Sequence, residues 1–290
     1  MLKITIVIPV YNRKNITIAG LNNLGDALNY YRQNGFKSLD VNIVVANDGS
    51  TDGTGEWIRA NRPDVYIVEG TGNLWWSGSV NAGMRYAIDE LGASHILLWN
   101  DDIICAKDYF FELEKVVTAN PQYLQSILVS KVFWLNGNGR LFNFGAYYNK
   151  ANGKKVLIGL NEQDTFNQVI RVDWSGGMGT VIPVEIIGRI GYLDEVNLPQ
   201  YHGDIDFFLR AKEQGYATYA IPWLKVYNNA ATTGVVKAKK IKDFKILFKS
   251  NRSLYNFKQN CYFNERHSNT LVSWLLLFKS YVAVVVKSLL

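Results

Sequence analysis

Asn100, Asp101 and Asp102 come straight after the apolar residues 95–98 and Trp99, so a strand delivers an amide and two carboxylates to its own carboxyl end. Ionised carboxylates held close together repel one another and resist burial, so the pair asks for something positive beside it. Mg²⁺ or Mn²⁺ would meet that need: each takes oxygen ligands from one or two carboxylates and completes its shell with substrate phosphates and water. A plain polar turn is the competing reading of the tripeptide taken alone. A second acidic segment, Gly203-Asp204-Ile205-Asp206 with Arg210 one turn further on, stands at the head of a helical pattern, where Asp204 has the side chain of an N-cap.

The elements that must hold these groups follow an alternation. Residues 4–10 are a β-branched run of the kind that forms buried parallel strands, 15–34 read as a helix ended by Gly35, and 41–46 as a second strand entering the turn formers 47–53. A short helix and a strand at 65–68 come next, then a helix over 79–91, then the strand that carries Asn100-Asp101-Asp102. The order β-α-β-α-β-α-β predicts an α/β doubly wound sheet with ligands beyond the carboxyl ends of its strands. Between 128 and 172 short extended runs are separated by Asn136-Gly137-Asn138-Gly139 and Asn152-Gly153, which are hairpin signals. Helices over 183–190 and 205–214 and a strand over 216–221 complete this part of the chain.

Composition narrows the classes. A chain of 290 residues with 48% hydrophobic content buries a sizeable core and is not disordered. The net charge of +6 suits an anionic partner: a sugar nucleotide, a phospholipid surface or, ranked last, a nucleic acid. Cys105 and Cys261 lack metal-ligand spacing, which argues against a disulfide framework or a zinc site and fits a reducing cytoplasm. The chain enters a strand directly after Met1 without the layout of a signal peptide, so a cytoplasmic location is expected. No G-x-G-x-x-G follows the first strand and no G-x-x-x-x-G-K-[ST] occurs, against a dinucleotide dehydrogenase or a P-loop NTPase.

Taken in order, Ile6-Val7-Ile8-Pro9-Val10-Tyr11-Asn12, Asn47-Asp48-Gly49-Ser50-Thr51-Asp52, Asn100-Asp101-Asp102 and the segment from Gly203 to Arg210 with Gly215-Tyr216 resemble an inverting family 2 glycosyltransferase. The segment from Gly72 to Gly83 resembles the rhamnosyltransferase-like branch that builds bacterial surface polysaccharides. The resemblance covers residues 3–227. It implies a GT-A-like doubly wound mixed sheet with flanking helices over 1–232, with a nucleotide-sugar half at 1–103 and an acceptor half at 104–232, while the composition beyond marks a C-terminal helical extension at 233–290. It also implies transfer of rhamnose or another hexose, with inversion, from a UDP- or dTDP-sugar to a lipid-linked or growing glycan.

Site roles follow from that resemblance residue by residue. Asp102 is the leading metal ligand, Asn100 a weaker one, and Asp101 acts through water or by its charge near the donor. Asn228 falls where relatives carry a metal-ligating His, which leaves the third ligand open. Pro9, Tyr11 and Asn12 are placed against base and ribose, with Tyr11 as a stacking face. Asp48 would accept from a pyrimidine imide N–H, Asn73 and Asn81 would offer amides near the nucleotide, and Trp76 would wall the sugar pocket. Asp204 is the expected general base, with Asp206 as a secondary candidate and Arg210 as its partner. On the acceptor side, Trp174 would be a stacking platform, Gly176 and Gly177 a close-approach loop, and His202 a contact to an acceptor hydroxyl.

The C-terminal part reads differently. Lys237, Lys239, Lys240, Lys242, Lys245, Lys249 and Arg252 crowd one segment, and residues 271–290 are strongly apolar. Lys279 and Lys287 would each cost roughly 2.5–3.5 kcal/mol near a bilayer centre, which favours lying on the inner face of the cytoplasmic membrane, or packing in a homodimer, over crossing. As a helix this stretch would gather Ser273, Lys279, Ser280, Lys287 and Ser288 on a narrow polar stripe. The non-enzymatic alternative is a membrane-associated polysaccharide-binding protein on a weakened transferase scaffold, to which Asn100, Gly203 and Asn228 point.

Overall fold

The computed structural model describes residues 1–36, 38–229 and 244–289; Lys237, Lys239, Lys240 and Lys242 of the basic segment lie outside them. The first half alternates as expected: β1 (Leu2–Val10), α1 (Lys14–Gln33), β2 (Leu39–Asn47), α2 (Thr54–Asn61), β3 (Val65–Glu69), α3 (Trp75–Asp89) and β4 (His95–Leu98). β1 lies between β2 and β4 and is parallel to both, with Val10 opposite Asn47 and Val7 opposite Leu98. That register brings Tyr11-Asn12, Asp48 and Trp99–Asp102 out at one edge of the sheet. Ile4, Ile6 and Ile8 of β1 face the cluster formed with Leu21, Leu24 and Leu28 of α1, while Val7 faces Val80 and Met84 of α3. Both faces of the strand are buried, which is why its sequence is continuously apolar.

The second half extends the same sheet. It supplies β5 (Ile103–Cys105), α4 (Tyr109–Ala119), β6 (Ile127–Trp134), β7 (Leu141–Asn143), β8 (Ala146–Asn149), β9 (Lys154–Leu157), β10 (Ile170–Val172), β11 (Thr180–Pro183), α5 (Val184–Ile190), α6 (Gly203–Glu213) and β12 (Thr218–Asn228). The strand order β10-β12-β6-β11-β4-β1-β2-β3, with β5 on β12 and β7 on β6, makes one mixed sheet in which β11 runs antiparallel to β4. The two expected halves therefore share a sheet. β6 and β7 pair antiparallel around the first Asn-Gly cluster, and β8 and β9 form a separate hairpin around the second.

Two boundaries differ from the sequence expectation, each for a visible reason. α3 begins at Trp75 rather than Ser79, because the Asp48 carboxylate accepts from the backbone amides of Leu74 (2.8 Å) and Trp75 (3.3 Å) and so caps the helix from a distant loop. β12 continues past residue 221 to Asn228: its register with β6 shifts between Ile221 and Lys225, a bulge that takes up Pro222.

The C-terminal residues form α7 (Phe244–Lys249), α8 (Phe257–His267) and α9 (Leu271–Leu289). α8 docks on α6 and the β8–β9 hairpin: the Tyr262 hydroxyl donates to Asp194 (2.6 Å), His267 bonds Asp206 (2.9 Å), and the Tyr148 and Ser268 hydroxyls bond each other (2.7 Å). The polar stripe expected on α9 is divided: Lys279 is exposed and Ser280 half-buried, while the side chains of Lys287 and Ser288 lie outside the described residues. Ser273 is buried and bonds Thr270 at the start of the helix, whereas Leu271, Val272, Leu275, Phe278, Val282 and Val286 are exposed. α9 meets the protein through Tyr281, whose hydroxyl donates to the Tyr255 carbonyl (3.1 Å) and accepts from Asn260 (3.0 Å). Among the described residues no helix is long and apolar enough to cross a membrane.

Helix α1 reaches the edge where Asp101 emerges by virtue of a small residue. A Cβ on Gly20 would stand 2.5 Å from the Asp101 carbonyl oxygen. Gly20→Ala should therefore lower stability in urea unfolding by about 1–3 kcal/mol of overpacking, although alanine in an open helix position would add about 1 kcal/mol. A more stable Gly20→Ala protein would mean that α1 does not bear on the Asp101 turn.

Candidate active site

The carboxylate pair at the end of β4 is held against a guanidinium. Arg13, in the bend between β1 and α1, places Nη1 3.0 Å from Asp101 Oδ1 and Nη2 2.9 Å from Asp102 Oδ2. Thr17 adds a 3.4 Å hydrogen bond to Asp101. Burial pushes the Asp101 carboxyl up to about 7, with Arg13 opposing and Asp102 adding to the rise. Asn100 accepts through Oδ1 from the Trp76 indole N–H at 3.2 Å. Asn228 ends β12 opposite Ile103, one residue beyond Asp102, so the strand register carries it to the same corner. Among the described residues no group of three His, Cys, Asp or Glu side chains gathers here or elsewhere. The donors present are hard oxygens around a spot already taken by a positive group, which fits a magnesium-like ion bound through one or two carboxylates with substrate oxygens completing its shell.

Several residues expected to meet the nucleotide are occupied in holding the loops. Asp48 is 5% exposed, and besides capping α3 it accepts from the Gly72 amide at 2.8 Å. In this structure the carboxylate clamps residues 72–75, where Trp75 takes a left-handed φ of 59°. Asn12 ties the β1 and β2 edges together, donating its amide to Ser50 Oγ (2.9 Å) and accepting from the Thr51 amide (2.7 Å). Asn81 is corrected: fully buried, it donates to the Leu193 carbonyl (2.9 Å) and accepts from the Leu193 amide (3.1 Å), pinning α3 to the second half. Tyr11 remains exposed beside half-buried Pro9, and Asn73 is exposed with its amide oxygen on the Trp75 indole N–H (3.0 Å).

Trp76 links this corner to the Gly176–Gly177 loop. A Cβ on Gly177 would lie 2.4 Å from the edge of its six-membered ring, so only glycine admits the indole there. The adjoining Gly176 looks onto Asp204, whose Oδ2 would be 3.5 Å from a Cβ at that position. Trp174 is corrected: it is 8% exposed, packed in the core under the hairpin, with its indole N–H on the Tyr147 carbonyl (3.3 Å), and offers no open face.

At the start of α6 the acids divide sharply. Asp204 does not cap the helix; the cap position is His202, and the Asp204 carboxylate accepts from the Ile205 amide at 2.8 Å. Burial pushes Asp204 up to about 6, against the Ile205 amide and the Lys155 charge. Asp206, the secondary base candidate, is fully buried and bound by Arg210 (2.8 Å), Arg266 (3.0 Å) and His267 (2.9 Å). Burial would raise it, yet the His267 hydrogen bond and the arginine charges outweigh burial and hold it below the ordinary carboxylate value. It is a structural anion, and Arg210, which also donates to the Ile190 and Tyr192 carbonyls, belongs to the same support.

His202 is held between Lys155 Nζ (3.0 Å from Nδ1) and Asn260 Oδ1 (3.0 Å from Nε2), and burial first, then the Lys155 charge, push it well below its usual pKa. It is neutral, accepting from Lys155 and donating to Asn260. Lys155 itself lies 4.0 Å above the Phe263 ring, and burial pushes it down to about 7 against the pull of Asp204. Sequence reasoning missed Arg13, Lys155 and the α8 residues. Only Arg13, adjoining Tyr11-Asn12, stood close to a quoted motif.

With this geometry established, comparison with known proteins gives the lineage. The pattern of Glycosyl transferase family 2 matches residues 5–175. The chain is 25% identical over 198 residues, 64% of its own length, to a low-salt glycan biosynthesis hexosyltransferase, Agl10, of Haloferax volcanii, and spans 60% of that relative. It is 27% identical over 157 residues to the glycosyltransferase GlyA of Streptococcus pneumoniae, but spans only 20% of it. In fold it resembles the mannosyltransferase PcManGT of Pyrobaculum calidifontis, solved in complex with GDP-Man and Mn²⁺ (TM-score 0.55, 14% identity, covering 97% of this chain and 69% of that one). It also resembles TarS 1-349 of S. aureus (TM-score 0.54, 15% identity, covering 79% of this chain and 60% of that one). With the matched pattern running from β1 through the end of β4 to the Trp174 turn, the chain belongs to glycosyl transferase family 2.

Proposed function

We propose that this protein transfers a hexose from a nucleoside diphosphate sugar to a hydroxyl of a growing or lipid-linked glycan, with inversion at the anomeric carbon. The observation that carries the reading is the link across Trp76 between the Asp101–Asp102 corner and Asp204, one a cation site and the other a raised carboxylate. A divalent cation held by Asp102 and Asp101, with Asn100 and Asn228 nearby, would neutralise the diphosphate as it leaves. Asp204 takes the proton of the acceptor hydroxyl. That oxygen then attacks the anomeric carbon opposite the diphosphate, the new C–O bond forming as the bond to the phosphate oxygen breaks and its electron pair departs with the nucleotide. Asp206 is enclosed by Arg210, Arg266 and His267, which leaves Asp204 as the carboxylate of this segment that serves as the base. The hexosyltransferase relative and the GDP-Man and Mn²⁺ in the mannosyltransferase structure support the donor class and the cation.

Asp204→Asn should lower transfer by roughly 10²-fold or more while donor binding persists. Because Asp204 titrates at about 6, wild-type transfer should rise with pH through about 6 and level off above it. The stability effect has the opposite sign. With its folded pKa raised above the ordinary value of about 4, Asp204 leaves the native state holding more protons than the unfolded chain between those two pH values, so its contribution falls as pH rises through that window. Asp204→Asn should therefore melt higher than wild type at about pH 7.5 while transferring far more slowly. Unchanged turnover would remove Asp204 from the role of base.

The outward apolar face of α9 supports attachment to an anionic lipid surface. Leu275, Phe278 and Val282 are exposed around Lys279, and Lys249, Arg252 and Lys258 are exposed on the neighbouring segments. An apolar face together with basic residues makes the two signals that stable peripheral binding requires. Leu275→Glu with Phe278→Glu should abolish co-flotation of the full chain with phosphatidylglycerol vesicles and leave hydrolysis of a soluble donor intact. If the wild type ignores such vesicles at low salt and the double variant instead breaks a dimer, this face is a subunit contact.

A further inference from the structure

Arg13 is the one feature of the cation corner that neither the motifs nor the proposed reaction uses. Its backbone is fixed, since its carbonyl accepts from the Thr17 amide (2.9 Å) and hydroxyl (3.0 Å). Its side chain spreads across the corner, and each terminal nitrogen takes a different carboxylate, Asp101 at 3.0 Å and Asp102 at 2.9 Å. In a bidentate arginine–carboxylate pair two nitrogens meet the same partner. Here the guanidinium instead bridges two acids, in the manner of a metal ion. The carboxylates are 4% and 12% exposed, but the arginine side chain is 30% exposed, so it has a way out toward solvent that they lack.

Arg13 takes one oxygen of each carboxylate and so bridges the pair as a divalent ion would, and two cations that close to the same pair repel each other. From this geometry we infer that Arg13 is an internal counter-ion, and that a divalent metal binds the Asp101–Asp102 pair only by displacing it. The pair is then never left without a positive partner, which would be costly for acids this enclosed. Metal affinity in the absence of nucleotide is held down by the competition. A donor diphosphate shifts the exchange, since it brings further oxygens for the metal and an anion to which the freed guanidinium can donate. The inference rests on the reading that this corner takes a divalent cation.

The test uses the full chain without nucleotide and Mn²⁺ alone, with bound ion measured by loss of the free-Mn²⁺ electron paramagnetic resonance signal. Arg13→Gln should tighten Mn²⁺ binding by roughly tenfold or more, because a competitor of full charge has been removed. Arg13→Lys, which keeps the charge without the two-armed bridge and guards against a misfolded glutamine variant, should fall between wild type and Arg13→Gln. Melting in chelator and in Mn²⁺ should show the same order, with the largest metal-induced rise in Arg13→Gln. Asp102→Ala, introduced into each background, separates the two ideas. If Asp102→Ala abolishes binding but neither Arg13 variant tightens it, the metal corner stands and the exchange is wrong. If Asp102→Ala leaves Mn²⁺ binding unchanged, the ion goes elsewhere and both are wrong.

Discussion

The arrangement depends on the mutual repulsion of two carboxylates at the end of β4. A strand that buries four consecutive residues, His95–Leu98, cannot release Asp101 and Asp102 into a half-closed corner without a positive charge to meet them. Much of the first half of the chain serves that demand. β1 and β4 are paired so that the Arg13 bend comes out beside the acids, α1 approaches over Gly20, and Thr17 on its first turn completes the contact with Asp101.

Five aspartates near the site show that residue type does not fix the role. Asp48 meets three backbone amides and becomes part of the α3 cap. Asp206 meets Arg210, Arg266 and His267 and becomes a buried anion that fastens α6 to α8. Asp204 stands only two residues away, but its charged neighbour is the desolvated Lys155, and it retains a raised pKa suited to taking a proton. Asp101 and Asp102 share one cation. The C-terminal α8 is bound into this division of labour, because Asn260 orients His202, Phe263 seats Lys155, and His267 locks Asp206.

The strand and helix alternation was readable because period and turn chemistry are local properties, and so was the convergence of residues 9–12, 48 and 100–102, since parallel strands must end at a common edge. Side-chain roles were less so. Asp48, Asn81 and Trp174 have the right chemistry for ligands, yet each is used up by partners that sequence proximity does not reveal; Asn81 answers to Leu193, 112 residues away. α9 shows the same limit from another direction: it docks through Tyr281 while Leu275, Phe278 and Val282 stay exposed beside Lys279, so amphipathic spacing alone did not reveal which face meets the protein. Asp204 was ranked above Asp206 by the family resemblance alone, because the contact that engages Asp206, His267, lies 61 residues away.

The most direct test of the account is anomalous diffraction at the manganese edge from crystals of the full chain grown with Mn²⁺ and a nucleoside diphosphate. The account predicts a manganese peak about 2.0–2.3 Å from an Asp102 oxygen, with diphosphate oxygens in its shell and the Arg13 guanidinium withdrawn from the pair. Diphosphate bound with no peak at Asp101–Asp102, and Arg13 still bridging both acids, would contradict it.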